Sequence, residues 1–296
     1  KSKNYLTNNY KNITFKKSIF QSASKNYVDS FLKIKSVLAS DIIEVHNRPS
    51  YVKYIKKKIE KKIFLFFHND PLTMEDSSSV EDRIYLINNT NKLFFNSKWS
   101  KRRFFLDIPE NLINSNQVVI CYQSSNKVKI NFNKKEKILS FIGKLNSSKG
   151  YDIFGEVIID ILNKNKNWKA IVIGDESREK INFNHKRLQL FGFKDNKFVL
   201  NILKKVSISI ICSRWQEPFG RVSLEAASRG CATIVTKTGG LPETSEYSIK
   251  LNILSSSELK NNITKLIKNK SYLLKKQKEN YKGFFLTHKY VASLID

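Results

Sequence analysis

Cysteine is scarce in this 296-residue chain, which has only Cys121, Cys212 and Cys231. An odd number of widely spaced cysteines set in apolar runs suits reduced, packed thiols and argues against a disulfide framework or a metal cluster. No apolar run reaches the roughly 18 residues that a membrane span needs, and the N-terminus lacks the uninterrupted apolar core of a signal peptide. A globular, cytoplasmic protein is expected, long enough for two domains and with 41% hydrophobic residues to build their cores. Several chemical signatures are missing as well. GKLNSSKG (143–150) holds glycines, a serine pair and lysines, but not in the order of a phosphate-binding P-loop, and no G-x-G-x-x-G opens either half. A nicotinamide cofactor is therefore not expected. No D-x-D pair and no H-E-x-x-H offers the clustered hard ligands of a catalytic divalent ion. The expectation is chemistry with no metal and no cofactor.

Acidic residues are also few. Asp and Glu number 26 against 53 Lys and Arg, a net charge of +27 that would attract nucleic acid, anionic lipid or a phosphorylated substrate. Lysine outnumbers arginine by roughly five to one and is abundant throughout, as compositional bias alone would produce. The densest patch, residues 53–62 (KYIKKKIEKK), begins at Lys53 and ends at Lys62. Tyr51, Val52, Ile55, Ile59 and Ile63 flank or interrupt it at helical spacing, which predicts an amphipathic basic helix. Such a face could rest on an anionic membrane surface or simply be solvated. Nucleic acid is not expected, because no recognised reading motif accompanies the charge.

Short apolar runs alternate with helical patterns along both halves, which predicts an α/β protein with parallel, doubly wound sheets. In the first half the expected strands lie at 12–15, 41–45, 63–67, 92–96 and 117–122, with helices at 27–39, near 82–89 and from Trp99. In the second half they lie at 138–144, 169–174, 188–193, 208–212, 232–236 and 250–254, with helices at 151–162, 197–204, 222–229 and towards the end. The polar stretch between them has little to pack. Residues 1–123 thus read as one domain, 124–136 as a linker, 137–283 as a second domain and 284–296 as a closing helix.

The densest chemistry is EPFGRVSLE (217–225), followed by GGLPE (239–243). The apolar strand before it and the helical spacing after it place the motif at a strand-to-helix junction. Such a junction presents unpaired N–H groups and a partial positive charge, which suits a phosphate. Glu217 in the loop and Glu225 about one turn into the helix can border one crevice and accept hydrogen bonds from sugar hydroxyls. The loops at Gly143-Lys144, Gly174-Asp175, 214–220 and Gly239-Gly240 all follow strands, and in doubly wound folds that is where ligands bind. Of the four scattered histidines, His46, His68, His185 and His288, only His68 follows an apolar strand directly and is expected to face the crevice.

With Phe141-Ile142-Gly143-Lys144-Leu145, Lys149-Gly150, Gly174-Asp175, the 217–226 segment and the 239–243 loop in order, the chain resembles glycosyltransferase family 4, over most of its length. The resemblance implies a GT-B fold, two Rossmann-like domains facing a cleft, and a retaining hexosyltransferase that uses a nucleotide-diphosphate sugar and a saccharide or lipid-linked acceptor. It gives Lys144 and Lys149 the task of stabilising the diphosphate leaving group, where cations lower the barrier without a metal. The family usually has Arg at the first of these positions; Lys144 keeps the charge but loses the bidentate fork. Glu225 is assigned to the ribose hydroxyls and Glu217 to those of the transferred sugar, with Phe219, Gly220, Arg221 and Val222 around the phosphates and Gly143 and Gly174 on adjacent loops. His68 matches the cleft histidine near the donor sugar, with Asn69 and Asp70 extending its loop. Ser97 matches a turn facing the donor phosphates, or is a helix N-cap.

Family members usually start with a strand, a Gly-rich loop and a long helix, and none of these precedes Lys1, so a missing N-terminal segment is expected. Residues 284–296 resemble the family's last helix, which crosses back to the first domain, and imply a nearly complete C-terminus. The lack of an evident nucleophile favours front-face displacement over double displacement. Rival readings are an inactive family member serving as a binding or scaffold subunit, a nucleotide-sugar 2-epimerase, or a basic nucleic-acid-binding protein. By analogy, the setting would be envelope polysaccharide or lipopolysaccharide synthesis at the inner membrane face.

Overall fold

The computed structural model describes Ile13 and residues 22–295. The strand expected at 12–15 lies outside the described residues apart from Ile13. The chain divides into two compact units. The first takes the residues up to Phe95 together with Lys101–Val119, and the second takes Asn96–Ser100 and everything from Ile120 onward.

The first unit runs α1 (Ala23–Phe31), α2 (Lys35–Leu38), β1 (Ile42–His46), α3 (Ser50–Lys56), β2 (Lys62–Phe67), α4 (Val80–Asn89), β3 (Lys92–Phe95), α5 (Lys98–Phe104), whose first turn up to Ser100 is assigned to the second unit, and β4 (Val118–Ile120), whose last residue is as well. Its sheet has the order β1-β2-β3-β4, with β1 and β3 both parallel to β2. Ile63, Leu65, Phe67, Leu93 and Phe95 are buried, so the two inner strands read as nearly continuous apolar runs.

Two expectations need correction here. The helix expected over 27–39 is broken: Ile34 is extended and starts a separate turn, α2, before β1. The basic helix expected through residues 53–62 stops at Lys56. Ile63, which matched helical spacing, instead stands opposite Ile43 in the sheet, fully buried. Strand pairing outweighs local periodicity at this point. Part of the basic charge is also neutralised, Lys53 by Asp76 at 2.6 Å and Lys58 by Asp29 at 2.8 Å.

The second unit contains β5 (Glu136–Ile142), α6 (Tyr151–Lys164), β6 (Lys169–Ile173), β7 (Leu188–Leu190), α7 (Asn196–Leu203), β8 (Val206–Ile211), α8 (Arg221–Ser228), β9 (Ala232–Thr236), β10 (Ile249–Leu251), α9 (Ser256–Lys268), α10 (Lys270–Gly283) and α11 (His288–Ala292). The sheet order is β10-β9-β8-β5-β6-β7, all parallel. The order reverses between β5 and β8, and ligands of doubly wound sheets bind outside the carboxyl ends of the strands at such a switch. One face packs Leu139, Phe141, Val172, Ile208 and Ile210 against α6 and α9 residues such as Phe154, Ile158 and Ile263. The other packs Ile138, Ile171, Ile173 and Val206 against Val199, Leu203 and Ala226 of α7 and α8.

The polar stretch expected to pack little is in fact laid along the second unit. Ser125 is buried and donates its N–H to the Leu286 carbonyl, Tyr281 donates to the Val128 carbonyl, and the Lys135 ammonium donates to the Leu203 and Val206 carbonyls. Backbone groups and long side chains supply the packing that the composition does not advertise. Among residues 284–295, Phe284, Leu286 and Val291 are buried against Phe219, Leu224 and Ala227. No helix among the described residues is long and apolar enough to cross a membrane.

Candidate functional site

The second unit builds its site from the loops after β5 and β8, on the two sides of the switch. After β5 the chain passes Gly143 and the exposed Lys144, then turns through Ser147–Lys149. Asn146 caps that turn by accepting the Lys149 N–H at 3.1 Å. Glu179 holds the Ser147 N–H from the side, and the Arg214 guanidinium donates to the Ser147 carbonyl. Arg214 also grips Asp152 through two hydrogen bonds of 2.7 Å, a bidentate pair that fixes the loop to the start of α6. Gly174, at the end of β6, has φ 141°, and a Cβ there would overlap the Gly143 carbonyl, so the two glycine loops touch backbone to backbone.

Across this junction Lys149 Nζ donates to Glu217 Oε1 at 2.5 Å and sits 4.4 Å from the centroid of the Trp215 ring. The Glu217 side chain is 13% exposed. A cation enclosed by a carboxylate and an aromatic face has a fixed position, which is what charge stabilisation of a leaving group requires. Lys144 is different: it makes no ion pair with any described residue.

Gly220 opens α8 with φ 112°, and Leu241 Cδ1 occupies the space a Cβ would need. Phe219 points away into the core at 1% exposure, 5.6 Å from the Tyr122 ring, so only its backbone can meet a ligand. Val222 packs on Ile211, Val235 and Leu241. Glu225 is 4% exposed. Its Oε1 accepts from Asn196 at 2.8 Å and from Arg221 at 3.1 Å, so it is a buried, oriented carboxylate rather than a solvated one. Arg214 and Trp215 lie in the 214–220 loop expected at the crevice, although neither was given a role there, and nothing in the local pattern singled out Asn196.

Ser97 is fully buried, and its hydroxyl accepts the Ser100 N–H at 2.9 Å, the geometry of an N-cap. Glu243, which closes the glycine loop, accepts the N–H groups of Lys98 and Trp99 at 2.7 and 2.8 Å. Its carboxylate thus sits against the positive start of α5. The Tyr122 hydroxyl adds a third bond to Glu243 at 3.3 Å, and burial followed by the Glu243 charge pushes that phenol up to about 12. A groove of about 800 Å³ lined by Ile138, Lys169, Leu188 and Phe198 opens at the opposite, amino-terminal ends of the strands and holds none of these residues.

In the first unit, His68 follows β2, half-buried, with its N–H on Asn47 Oδ1 at 3.1 Å. Asn47 has φ 55°, and its side chain also takes the Asn69 N–H, so it ties the ends of β1 and β2 together. Asp70 is held by Arg103 at 2.9 Å. The expectation that His68 alone is well placed is corrected by the sheet register. His46 stands opposite Phe66, and its Nδ1 lies 3.1 Å from His68 Nε2. Its Nε2 is 3.2 Å from Glu44. Burial, then the neighbouring His46, lowers the His68 pKa below the usual imidazole range. Among the described residues no three His, Cys, Asp or Glu side chains gather as metal ligands would.

The two parallel sheets place the chain among GT-B proteins. Its fold is similar to that of Anabaena HepE solved in complex with UDP-glucose, with a TM-score of 0.68 at 15% identity over 91% of this chain and 82% of that one. The family described as "Glycosyl transferases group 1" matches residues 123–283, more than half of the sequence, and the chain belongs to it. Spore coat protein SA of Bacillus subtilis is 23% identical over 270 residues, 76% of this chain and 72% of that protein. A protein of Klebsiella pneumoniae, described as a 42.6 kDa protein in the cps region, is 34% identical over 114 residues. That match takes in 37% of this chain but only 29% of the relative, so the chain spans less than a third of that protein's length.

Proposed function

We propose that this protein is a retaining, metal-independent hexosyltransferase that moves a sugar from a nucleotide-diphosphate donor to a saccharide or lipid-linked acceptor. The observation that carries the reading is the Lys149–Glu217 pair at the β5/β8 switch, with the buried Glu225 one turn into the following helix. Family membership supports it, as does the UDP-glucose bound by the fold neighbour HepE. Glu225 accepts the ribose hydroxyls, Glu217 those of the transferred sugar, and Lys149 and Lys144 face the diphosphate. The α8 start, with its Gly220, Arg221 and Val222 amides, adds partial positive charge.

In the front-face reaction the bond from the anomeric carbon to the diphosphate oxygen breaks. The acceptor oxygen bonds to the same face, and the acceptor proton passes to the departing diphosphate. Cations held in advance stabilise the charge that develops. The setting proposed is the cytoplasmic side of the envelope, with donor and acceptor drawn from polysaccharide or lipopolysaccharide synthesis.

A panel of nucleotide sugars screened by thermal unfolding tests this reading. A true donor at a hundred times its dissociation constant adds about 2.7 kcal/mol of stability. That donor should then be transferred with retention in the presence of a chelator. If no nucleotide sugar stabilises the protein or turns over, the assignment is wrong; inversion of the product or complete loss with chelator overturns the corresponding part.

A further inference from the structure

The two oxygens of the buried Glu225 carboxylate are not equivalent. Oε1 accepts from Asn196 Nδ2 at 2.8 Å and from an Arg221 guanidinium nitrogen at 3.1 Å. Oε2 accepts from none of the described residues, and it is not sealed from solvent. Each carboxylate oxygen has about two lone-pair sites, so Oε1 is filled while Oε2 keeps both of its own. What this carboxylate can still offer a ligand is Oε2.

The two donors reach Glu225 by different routes. Arg221 stands one turn earlier on the same helix, and its side chain is 61% exposed. A pair of this kind, in reach of water, is held weakly. Asn196 comes from another element, α7. Asp195 caps that helix by accepting the Phe198 N–H at 2.8 Å, and Val199 and Leu203 pack on Ala226 of α8. This packing brings the first residue of α7 against α8, so the position of Asn196 is set by the core. Its amide donates without ionising, and the bond it makes does not depend on a charge of its own.

We infer that Asn196 is a positioning residue for Glu225. It fixes Oε1, leaves Oε2 as the acceptor for the donor's sugar hydroxyls, and thereby makes the site selective for a ribonucleoside diphosphate over its 2′-deoxy counterpart. The inference rests on the proposed function, in which Glu225 meets the ribose. A ribose presents two adjacent O–H donors, at its 2′ and 3′ positions, and Oε2 has sites for both. A 2′-deoxyribose presents one, so a site on a largely buried carboxylate goes unfilled. A carboxylate free to turn would lose this discrimination, because either oxygen would meet the remaining hydroxyl and water would take the other.

The test is calorimetric titration of the wild type, Asn196→Ala and the double variant Asn196→Asp with Glu225→Gln. The probes are UDP, GDP and ADP, each beside its 2′-deoxy form. The wild type should bind at least one ribonucleotide about tenfold or more tightly than the deoxy form. Asn196→Ala should bring that ratio close to one, chiefly by weakening the ribonucleotide. With the matching nucleotide sugar it should raise the donor KM about tenfold and leave kcat unchanged. The double variant restores a hydrogen bond between the two positions with donor and acceptor exchanged, and should recover stability without the ribose preference. A merely structural Asn196 would alter stability and leave the ratio alone. Equal binding of both forms by the wild type, a wild-type ratio in Asn196→Ala, or a ratio restored in the double variant overturns the inference. If none of the six nucleotides binds the wild type, the transferase reading fails and the inference falls with it. If the ratios behave as expected but no nucleotide sugar is transferred, the positioning role stands and the transferase reading alone fails.

Discussion

At the β5/β8 switch the carboxylates are enclosed and held by cations or amides, whereas on β1 the acid Glu44 and the imidazole of His46 stand at the surface and hold each other. Glu217 is 13% exposed under Lys149, and Glu225 is 4% exposed beneath Asn196 and Arg221. Glu44 and His46 are exposed, and His68 is only half-buried. Enclosure fixes position and makes each removal expensive, because the partner is left without its bond. Exposure lets a group exchange protons with solvent at little structural cost. One group is enclosed by its partners, and the other is open to solvent.

The sharpest way to break this contrast is at Lys149. Lys149→Met removes the enclosed cation and should lower transfer by roughly two to three orders of magnitude, measured as kcat with a saturating donor. It should also cost about 2 kcal/mol of stability, since Glu217 loses its charged partner. Adding Glu217→Gln should recover most of the stability but none of the rate. A double variant that regains activity would show that the pair serves only the fold.

Next in size is Glu225→Ala, which leaves the Asn196 amide without its acceptor. Thermal unfolding should show a loss of about 1–3 kcal/mol, together with weakened donor binding. His46→Phe in the other unit should change stability by less than about 0.5 kcal/mol. Equal losses in the two variants would erase the distinction between enclosed and exposed chemistry.

How much of this was readable in the residues depends on the range of the contacts. Glu217 and Glu225 lie within one strand–turn–helix unit, so their spacing alone put both beside one helix start. The His46–His68 contact bridges 22 residues and exists because the strand register sets His46 opposite Phe66, which no local pattern encodes. Asn196 is hidden for the same reason: it is an ordinary helix-start residue until α7 packs on α8. Ile63 fitted two periods at once, and the sheet took it, which ended the basic helix early. Ser97 and Glu243 carry motif positions, yet what the structure displays for them is capping of α5. A carboxylate at a helix start looks the same in sequence whether it holds a ligand or a backbone.

Acid and alkaline titrations separate the units more gently. His68 is lowered by burial and then by His46, so the unfolded chain takes up its proton first as pH falls through about 6.5. Its contribution to stability is present above that pH and is lost as pH drops through the folded value. Tyr122 in the second unit is raised to about 12, so its contribution is present below about 10 and fades as pH climbs towards 12. Difference stability profiles of His68→Phe and Tyr122→Phe against the wild type should therefore diverge at opposite ends of the pH scale. Divergence at the same end would mean that one of the two environments has been misassigned.

The smallest structural effect is expected at Lys144, which shares a loop with Lys149 but makes no ion pair among the described residues. With no partner to abandon, Lys144→Ala should leave stability within about 0.5 kcal/mol of the wild type. Under the proposed function, any loss of rate is then a loss of charge at the diphosphate and not of structure. Lys144→Arg keeps the charge and adds a planar fork that can hold two phosphate oxygens at once. It should match or exceed the wild-type kcat with unchanged stability, whereas Lys149→Arg must fit a larger head between Glu217 and the Trp215 ring and should lose rate. If both arginine variants respond alike, enclosure is not what separates the two lysines.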